Sequence, residues 1–421
     1  MRMKITPGTL SGRIDPVIAS KSWTHRALIA AALSGEPTML NNIAPSADAR
    51  ATCHCLEAMG CTIRQRGEGL AIQPGPAAKE GLLDCGESGT TLRFLLPVAA
   101  VLGIRAEFTG RGKLAERPLS PLYEEMAAHG IRLSPQGQFP LRIEGKLTAG
   151  EYSLAGNVSS QFFSGLLFAL PLAEGDSRIR IEGELESAPY VNMTIKALNA
   201  FGIRIDREES GFRIPGNQTY RSPGSLTVEG DWSGAAFWLA AGALSEQGVT
   251  CCGLNPESAQ GDRAILELLR GFGAKTEETA GGIRVSRGQL KGMEINAADI
   301  PDLVPILAVT AAFAEGKTVI HHIARLRLKE SDRVESVLAL IRSLGGRAEA
   351  TKHEMTISGG GLTGGTADAF RDHRIAMAAA VAGSAAPEPV EIIGAEAVAK
   401  SYPGFFEVFR SLGGHAEPLT E

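Results

Sequence analysis

The clearest pattern along the chain is an apolar helical run that ends in glycine and recurs six times. Examples are "LEAMGCTI", "LNAFGIRI" and "IRSLGGRA", and successive glycines lie about 70 residues apart. A glycine just past a helix adopts the left-handed conformation that ends it. The pattern predicts six helix ends, at Gly60, Gly130, Gly202, Gly273, Gly345 and Gly413.

Alternating apolar and polar segments follow these glycines, as in "LRIEG", "FRIPG" and "MTISGG", and alternation is typical of strands. Each unit is therefore predicted to contain a helix, a strand, a helix and two further strands. Such units are longer than solenoid repeats of about 20–50 residues. A chain of 421 residues also exceeds the size of one core. We expect an α/β protein whose units form two pseudo-symmetric halves.

The first helix of each of the six repeats begins with an unusual charge pattern. In "SKSWTHRAL", Ser22 is the predicted N-cap, while Lys21 and Arg26 lie near the positive end of the helix without an acidic residue. Two other starts carry acids, Asp231 and Asp302. Helix-start N–H groups with an added Lys or Arg form an anion site, so we predict a ligand with several anionic groups. The remaining starts carry Gly89, Thr90, Arg93, Ser159, Ser160, Gln161, His373 and Arg374.

Four further basic residues fit this interpretation. Asp332 is a predicted N-cap, with Arg333 at the first helical position and Lys329 just before the helix. A solvated charged face is the alternative for this run. Arg117 precedes Pro118, which we expect to start a helix, and Lys400 precedes the final helix.

Composition limits the function classes. The net charge of −5 argues against non-specific binding to nucleic acid or membrane surfaces, so an anion site must come from local placement of cations. The longest apolar runs are shorter than a membrane span, and the N-terminal segment has no signal-peptide core. These features favour a cytoplasmic protein.

Six cysteines in a chain of this length are expected to be reduced thiols. Cys53, His54, Cys55 and Cys61 lie close in sequence, but their spacing does not match a zinc pattern. We therefore expect no metal site.

Ten separated motifs between about residues 5 and 415 resemble the enolpyruvyl transferases, and most closely the branch that acts on shikimate 3-phosphate. The resemblance implies an inside-out α/β barrel protein of two domains, built of six β-α-β-α-β-β repeats, three per domain. It implies one domain of residues 1–19 plus 229–421, a second of residues 20–228, and an active site in the cleft between them. The motifs are "SKSWTHRAL", "GESGTTLRF", "ERPLSPL", "GNVSSQF", "ESAPYV", "EGDWSGAAF", "IPDLVPILA", "LKESDR", "DHRIAMA" and "KSYPGFF".

The resemblance also implies the reaction. The enolpyruvyl group of phosphoenolpyruvate moves to the 5-hydroxyl of shikimate 3-phosphate by addition and then elimination of phosphate, without a metal or organic cofactor. This step belongs to the shikimate pathway of aromatic amino acid biosynthesis. The chemistry needs acid/base groups and dense positive charge.

Site residues carry over from the motifs as implied roles. Lys21, Asp302 and Glu330 would be catalytic, with Asp302 accepting the hydroxyl proton and Glu330 shuttling a proton at C3. A plain helix cap is the alternative for Asp302. The residues implied for shikimate 3-phosphate are Lys21, Ser22, Arg26, Ser159, Ser160, Gln161, Ser187, Asp302 and Lys329. Those implied for phosphoenolpyruvate are Lys21, Gly89, Arg117, Gln161, Arg333, Arg374 and Lys400.

Three positions depart from the family pattern: Glu87 and His25 each replace the usual Asn, and Arg325 stands where some relatives have Asn. A carboxylate at position 87 beside a phosphate is unfavourable unless it is protonated, paired or turned away. Gly89 is retained, and an alanine there is linked in the family to tolerance of glyphosate, a phosphoenolpyruvate mimic that we expect as an inhibitor.

Two rival functions remain. The sister enzymes act on UDP-N-acetylglucosamine and carry a loop cysteine, which "GRGKLAERPLS" lacks. A non-catalytic anion-binding protein on the same scaffold is the other, although the chain retains the implied catalytic residues. We expect a monomer, since no unassigned apolar stripe stands out.

Overall fold

The computed structural model describes residues 1–279 and 281–419. Within this part of the chain there are twelve α-helices, two for each repeat. They are α1 (Lys21–Leu33), α2 (Ala47–Ala58), α3 (Gly89–Val101), α4 (Leu122–Ala128), α5 (Ser160–Ala169), α6 (Ala188–Ala200), α7 (Trp232–Ala243), α8 (Ile265–Phe272), α9 (Val304–Ala312), α10 (Arg333–Ser343), α11 (His373–Ala385) and α12 (Phe405–Ser411). Short 3-10 helices cover Leu114–Glu116, Leu170–Leu172, Gly261–Ala264, Ala324–Leu328 and Ala395–Lys400.

The strands of the same described residues number twenty-four. The first twelve are β1 (Arg2–Thr6), β2 (Gly12–Ile14), β3 (Thr38–Asn41), β4 (Thr62–Arg66), β5 (Gly69–Gln73), β6 (Glu80–Asp84), β7 (Arg105–Thr109), β8 (Ile131–Leu133), β9 (Leu141–Gly145), β10 (Glu151–Ala155), β11 (Ser177–Glu182) and β12 (Asp206–Glu208). The others are β13 (Gly211–Ile214), β14 (Ser225–Thr227), β15 (Val249–Cys251), β16 (Lys275–Thr279), β17 (Gly282–Ser286), β18 (Glu294–Asn296), β19 (Lys317–His321), β20 (Arg347–Ala350), β21 (Glu354–Ser358), β22 (Gly365–Asp368), β23 (Val390–Ile393) and β24 (His415–Leu419).

These strands form six four-stranded sheets with one topology. In β6-β7-β9-β8 the first two strands are parallel across the helix α3 that connects them, and the last two return antiparallel. The sheets β10-β11-β13-β12 and β18-β19-β21-β20 repeat this order. The others borrow one strand from a distant part of the chain, giving β14-β3-β5-β4, β16-β17-β15-β2 and β22-β23-β1-β24. The predicted α/β fold of six β-α-β-α-β-β repeats is thereby confirmed.

The glycine pattern is confirmed at every copy, because all six glycines follow the second helix of a repeat with a positive φ between 76° and 115°. At Gly60 a side chain would also clash with a neighbouring part of the chain. A Cβ on it would lie 2.3 Å from the carbonyl oxygen of Pro76. Position and conformation together require glycine.

Two predicted helix starts are wrong. Helix α1 begins two residues earlier than predicted, at Lys21, and the side chain of Ser20, not Ser22, accepts from the N–H of Trp23. Ser22 instead lies in the first turn of the helix. Both serines satisfy the local sequence signal for an N-cap, so the sequence did not distinguish them. Pro118 does not start a helix: α4 begins at Leu122, with Pro121 before it.

The described chain divides into two compact units, Met1–Ile18 with Glu229–Glu421, and Ala19–Val228. Each unit has three repeats and its own core. The first helices of the repeats are buried almost all round, α7, α9 and α11 in one unit and α1, α3 and α5 in the other. A helix buried on all sides offers polar groups mainly at its ends, which places the candidate chemistry at the helix starts. No helix of the described residues is long and apolar enough to cross a membrane.

Candidate active site

In the unit that contains the C-terminus, the Asp302 carboxylate lies just before α9 among three cations. Oδ1 accepts from Arg333 at 2.7 Å and lies 3.6 Å from Lys329 Nζ, while Oδ2 accepts from Arg374 at 2.9 Å. Burial opposes ionisation of this carboxyl, but Arg374, Lys329 and Arg333 outweigh it and hold its pKa well below the ordinary value. Helix α9 begins at Val304, and both Asp302 oxygens bind guanidinium groups from other elements. The simple helix-cap interpretation is therefore wrong.

Arg333 is the centre of this cluster and is only 1% exposed. Besides Asp302, its guanidinium donates to Glu330 at 2.7 Å and to Asp372 at 2.7 Å. Asp372 in turn caps α11 through the N–H of Arg374 at 3.0 Å. The charged run before α10 is thus an organised ion-pair network rather than a solvated face.

Two lysines complete the charge of this unit. Burial lowers the pKa of Lys329 to about 8, although the neighbouring Asp302 favours its charged form. Lys400 donates to the carbonyl of Arg371 at 2.9 Å, next to Asp372. The cluster brings together five predicted site residues, Asp302, Lys329, Glu330, Arg333 and Arg374, whereas Lys400 contacts the backbone next to Asp372.

The other unit places its cations at helix starts whose caps are neutral serines. Ser20, Ser88 and Ser159 cap α1, α3 and α5. No carboxylate occupies these caps, so the positive ends remain suited to an anionic ligand. Lys21, at the first position of α1, pairs with Asp48 at 2.9 Å. Before folding, Asp48 is indistinguishable from an ordinary acidic residue in the first turn of a helix, here α2.

Arg26 lies deeper than the prediction implied, with 2% exposure. Its guanidinium donates to Thr194 Oγ1 at 2.8 Å and to the carbonyls of Ser22 and Tyr190 at 2.8 and 2.7 Å. It also lies over the ring of Phe94, 5.2 Å from the centroid. These contacts tie α1 to α6. A direct role for Arg26 in binding substrate stays a prediction.

The starts of α3 and α5 are linked through Gln161, whose amide donates to Thr90 at 2.8 Å and accepts from Arg93 at 2.8 Å. Arg117 packs against Gly89 so closely that a Cβ there would lie 2.7 Å from Nη1. Ser159 and Ser160 lie at the same end of α5. This end of the unit therefore holds Gly89, Arg117, Ser159, Ser160 and Gln161.

Ser187 directly precedes α6 in a left-handed conformation, with φ 58° and ψ 35°. This region is uncommon for a residue other than glycine, asparagine or aspartate, and strain of this kind concentrates at ligand sites. The side chain is almost fully buried. The backbone geometry is consistent with the predicted ligand contact.

The three departures from the family pattern have defined surroundings. His25 Nδ1 lies 2.7 Å from Thr52 Oγ1, and Thr52 continues through Thr91 to Ser88, each step 2.7 Å. The Glu87 carboxyl lies against Gly112, where a Cβ would be 2.9 Å from its carboxyl carbon. Arg325 is buried, in the unit of Asp302.

The cysteines are not among the residues of the Asp302 cluster or of the helix starts described above. All six thiols are free. Among residues 1–279 and 281–419, no three His, Cys, Asp or Glu side chains are grouped so that they could hold a metal ion.

Comparison with known proteins places this architecture in a class. The solved EPSP synthase of Acinetobacter baumannii matches with a TM-score of 0.81 and 26% identity, covering 99% of this chain and 100% of that one. The enolpyruvyl transferase NikO of Streptomyces tendae shares the fold, with a TM-score of 0.82 at 18% identity over 100% of this chain and 99% of its own. The fold is thus the two-domain inside-out α/β barrel of enolpyruvyl transferases.

Sequence comparison identifies the family. The 3-phosphoshikimate 1-carboxyvinyltransferase of Clostridium kluyveri is 44% identical over 99% of this chain and 98% of its own. The protein of the same name from Clostridium acetobutylicum is 42% identical, over 98% and 97%. The family profile described as EPSP synthase (3-phosphoshikimate 1-carboxyvinyltransferase) matches residues 5–409. The chain belongs to the EPSP synthase family.

Proposed function

We propose that this chain transfers the enolpyruvyl group of phosphoenolpyruvate to the 5-hydroxyl of shikimate 3-phosphate, giving 5-enolpyruvylshikimate 3-phosphate and phosphate. The observation that carries the proposal is the Asp302 carboxylate, held by Arg333 and Arg374 beside Glu330 in a chain of this family. It combines acid/base groups with fixed positive charge, which addition to an anionic enol phosphate requires.

The chemistry proceeds in two stages. In the addition, the 5-hydroxyl oxygen bonds to C2 of phosphoenolpyruvate and loses its proton to Asp302, while C3 gains a proton from Glu330. In the elimination, C3 returns a proton and the bond from C2 to the phosphate oxygen breaks. Phosphate leaves, and the enol double bond is restored.

The low pKa of Asp302 bears on the first stage. A carboxylate that binds two arginines is a weak base, because those cations favour its charged form. We propose that the anionic groups of the substrates draw Arg374 and Lys329 partly away from Asp302. Its affinity for a proton would then rise as the reaction begins.

The predicted binding residues fall into two sets, one for each substrate. We propose that Arg117, Arg333, Arg374 and Lys400 bind the carboxylate and phosphate of phosphoenolpyruvate, since an arginine fork matches either group through two hydrogen bonds. Shikimate 3-phosphate would contact Ser22, Arg26, Ser159, Ser160, Gln161, Ser187 and Lys329. Lys21 would reach both ligands, Gln161 would also contact phosphoenolpyruvate, and Gly89 would let it approach the start of α3.

We further propose that residues of both units act on the same pair of substrates and that ligand binding draws the units together. X-ray scattering should show a smaller radius of gyration with both ligands than with neither. An unchanged radius would argue against closure. We also propose that the protein is a monomer, which sedimentation tests, and that glyphosate inhibits it, which inhibition assays test. We propose a cytoplasmic location, which cell fractionation tests.

Phosphate release tests the function itself. Purified protein should release phosphate from phosphoenolpyruvate with shikimate 3-phosphate and not with UDP-N-acetylglucosamine. An Arg142→Ala variant, which breaks an exposed ion pair with Glu107, serves as the matched control and should keep full activity. Release with the sugar nucleotide alone would support the sister activity, and release with neither would support a binding protein.

A further inference from the structure

A chain of buried hydrogen bonds joins three helices of the unit Ala19–Val228 and has no part in the reaction described above. His25 Nδ1 on α1 lies 2.7 Å from Thr52 Oγ1 on α2, which lies 2.7 Å from Thr91 Oγ1 on α3. Thr91 Oγ1 then donates to the hydroxyl oxygen of Ser88, the N-cap of α3, at 2.7 Å. All four residues are at most 1% exposed, so water does not compete for these bonds.

The donors in this chain all point the same way. Thr91 has one hydroxyl proton and uses it on Ser88, so the hydroxyl of Thr52 must donate to Thr91. Only lone pairs of Thr52 are then left for His25, which places the imidazole proton on Nδ1. His25 Nε2 is buried and has no hydrogen-bond partner among residues 1–279 and 281–419. The neutral ring is therefore the first donor of the chain.

An ion pair runs beside the chain and joins the same two helices, α1 and α2. Lys21 lies one turn before His25 on α1, and its partner Asp48 lies one turn before Thr52 on α2. The Lys21–Asp48 contact, at 2.9 Å, is the outer of the two, and both of its side chains are 16% exposed. An anionic ligand at Lys21 competes with Asp48 for the same cation. The inner contact joins neutral groups, so such a ligand does not weaken it.

The far end of the chain lies at the start of α3, where two predicted contacts of phosphoenolpyruvate meet. Ser88 Oγ also accepts from the backbone N–H of Thr91 at 3.1 Å, so the same side chain shapes the first turn of α3. Gly89 begins that turn, and Arg117 packs directly against it. A shift of this turn therefore moves Gly89 relative to Arg117 and to Lys21 on α1.

We propose that His25 is a positioning residue, which holds the start of α3 at a fixed distance from Lys21 while phosphoenolpyruvate binds. It acts through the hydroxyls of Thr52 and Thr91. This role rests on the proposed transfer reaction. The imidazole that replaces the usual Asn thus supplies the first donor of the chain, and it touches no reacting atom.

Removal of one hydroxyl tests this role. Thr52→Val keeps the shape of the side chain but leaves His25 Nδ1 and Thr91 Oγ1 without their shared partner. KM for phosphoenolpyruvate should rise about tenfold, less than the roughly hundredfold loss that a 1 Å misplacement can cause. KM for shikimate 3-phosphate and kcat should change by less than about twofold, because the chain ends at Gly89 rather than at the start of α5.

Thr52→Ser keeps the hydroxyl and should restore the wild-type KM for phosphoenolpyruvate. Thr318→Val is the matched control, since it removes a buried hydroxyl that has no hydrogen-bond partner in the described chain, and both KM values should stay unchanged. A purely structural role for Thr52 would lower the unfolding temperature of Thr52→Val without separating the two KM values. That result, or an equal rise in both, would overturn the proposal.

A double variant tests whether the hydroxyls act in series. Thr91→Val breaks the chain at its next link, so adding Thr52→Val to it should raise KM for phosphoenolpyruvate no further. Effects that multiply in the double variant would show two independent hydroxyls and would contradict a single chain.

Nitrogen NMR of wild-type protein labelled in its histidines tests the direction of the chain without an activity assay. The signals of His25 are those absent from His25→Asn. Near neutral pH, Nδ1 should show the shift of a protonated nitrogen and Nε2 that of an unprotonated one. The opposite tautomer would overturn the proposal, even if Thr52→Val failed to fold. If wild type releases no phosphate with either acceptor, the proposed function fails, and that outcome is distinct from an unchanged KM in active protein.

Discussion

Replacing Gly89 with alanine is a small change with a calculable effect on Arg117. The new Cβ would lie 2.7 Å from Nη1 and 2.9 Å from Cζ of Arg117, whereas unbonded heavy atoms prefer about 3.5–4.0 Å. The guanidinium must therefore move by about 1 Å. A displacement of that size at a ligand-positioning group can lower the rate about a hundredfold. We predict a 10- to 100-fold lower kcat/KM for phosphoenolpyruvate, on the order of that limit and carried mainly by KM.

The fold should not suffer, because alanine is favoured over glycine in a helix and Gly89 has no positive φ. Initial rates with each substrate varied in turn measure the effect, and Gly35→Ala is the matched control, since nothing lies within 4 Å of its added Cβ. In an Arg117→Ala background, Gly89→Ala should cost little more, because the clash is gone. An unchanged KM for phosphoenolpyruvate, or an equal loss without Arg117, would refute this reasoning.

Three other predictions concern buried charge. Arg333→Met leaves Asp372 without its cation and should lower the free energy of unfolding, measured in urea, by about 3–5 kcal/mol. Arg142→Met, which breaks an exposed ion pair, should lower it by only about 0–1 kcal/mol. Equal losses in the two variants would contradict the buried network. Burial lowers the pKa of His25 to about 3, so wild type should lose stability as the pH falls below about 6.5. Relative to wild type, the free energy of unfolding of His25→Asn should therefore rise by about 2–3 kcal/mol between pH 7 and pH 4.5. A difference that does not change with pH would argue against a neutral buried ring. Because the pKa of Lys329 is lowered to about 8, KM for shikimate 3-phosphate should rise above that pH in wild type but not in Lys329→Arg; parallel curves would remove Lys329 from the site.

Local rules account for what the sequence predicted well. The six glycines were identifiable because a left-handed residue after a helix leaves a signal within a few positions. The capping role of Asp332 was visible for the same reason, and its side chain accepts from the N–H groups of Val334 and Glu335. The repeat and the helix starts followed from such signals.

Choices between equivalent local signals could not be made. Ser20 and Ser22 are both good caps, and only the packing of α1 selects the first. Pro118 and Pro121 both precede a helical pattern, and the helix follows the second.

Contacts between distant residues were also beyond reach. Lys21 meets Asp48 and Arg333 meets Asp372, pairs that are 27 and 39 positions apart. Partners of this kind follow from the folded arrangement of elements, which spacing along the chain does not encode.

The central proposal is that Lys21 of one unit and Asp302 of the other serve a single transfer reaction. It is tested most directly by following carbon-labelled phosphoenolpyruvate into product in wild type, Lys21→Met and Asp302→Ala. We predict that label enters shikimate 3-phosphate with one phosphate released per transfer, and that either substitution, in a folded protein, lowers the rate by orders of magnitude. Full transfer in either variant, or label recovered only as pyruvate, would contradict the claim.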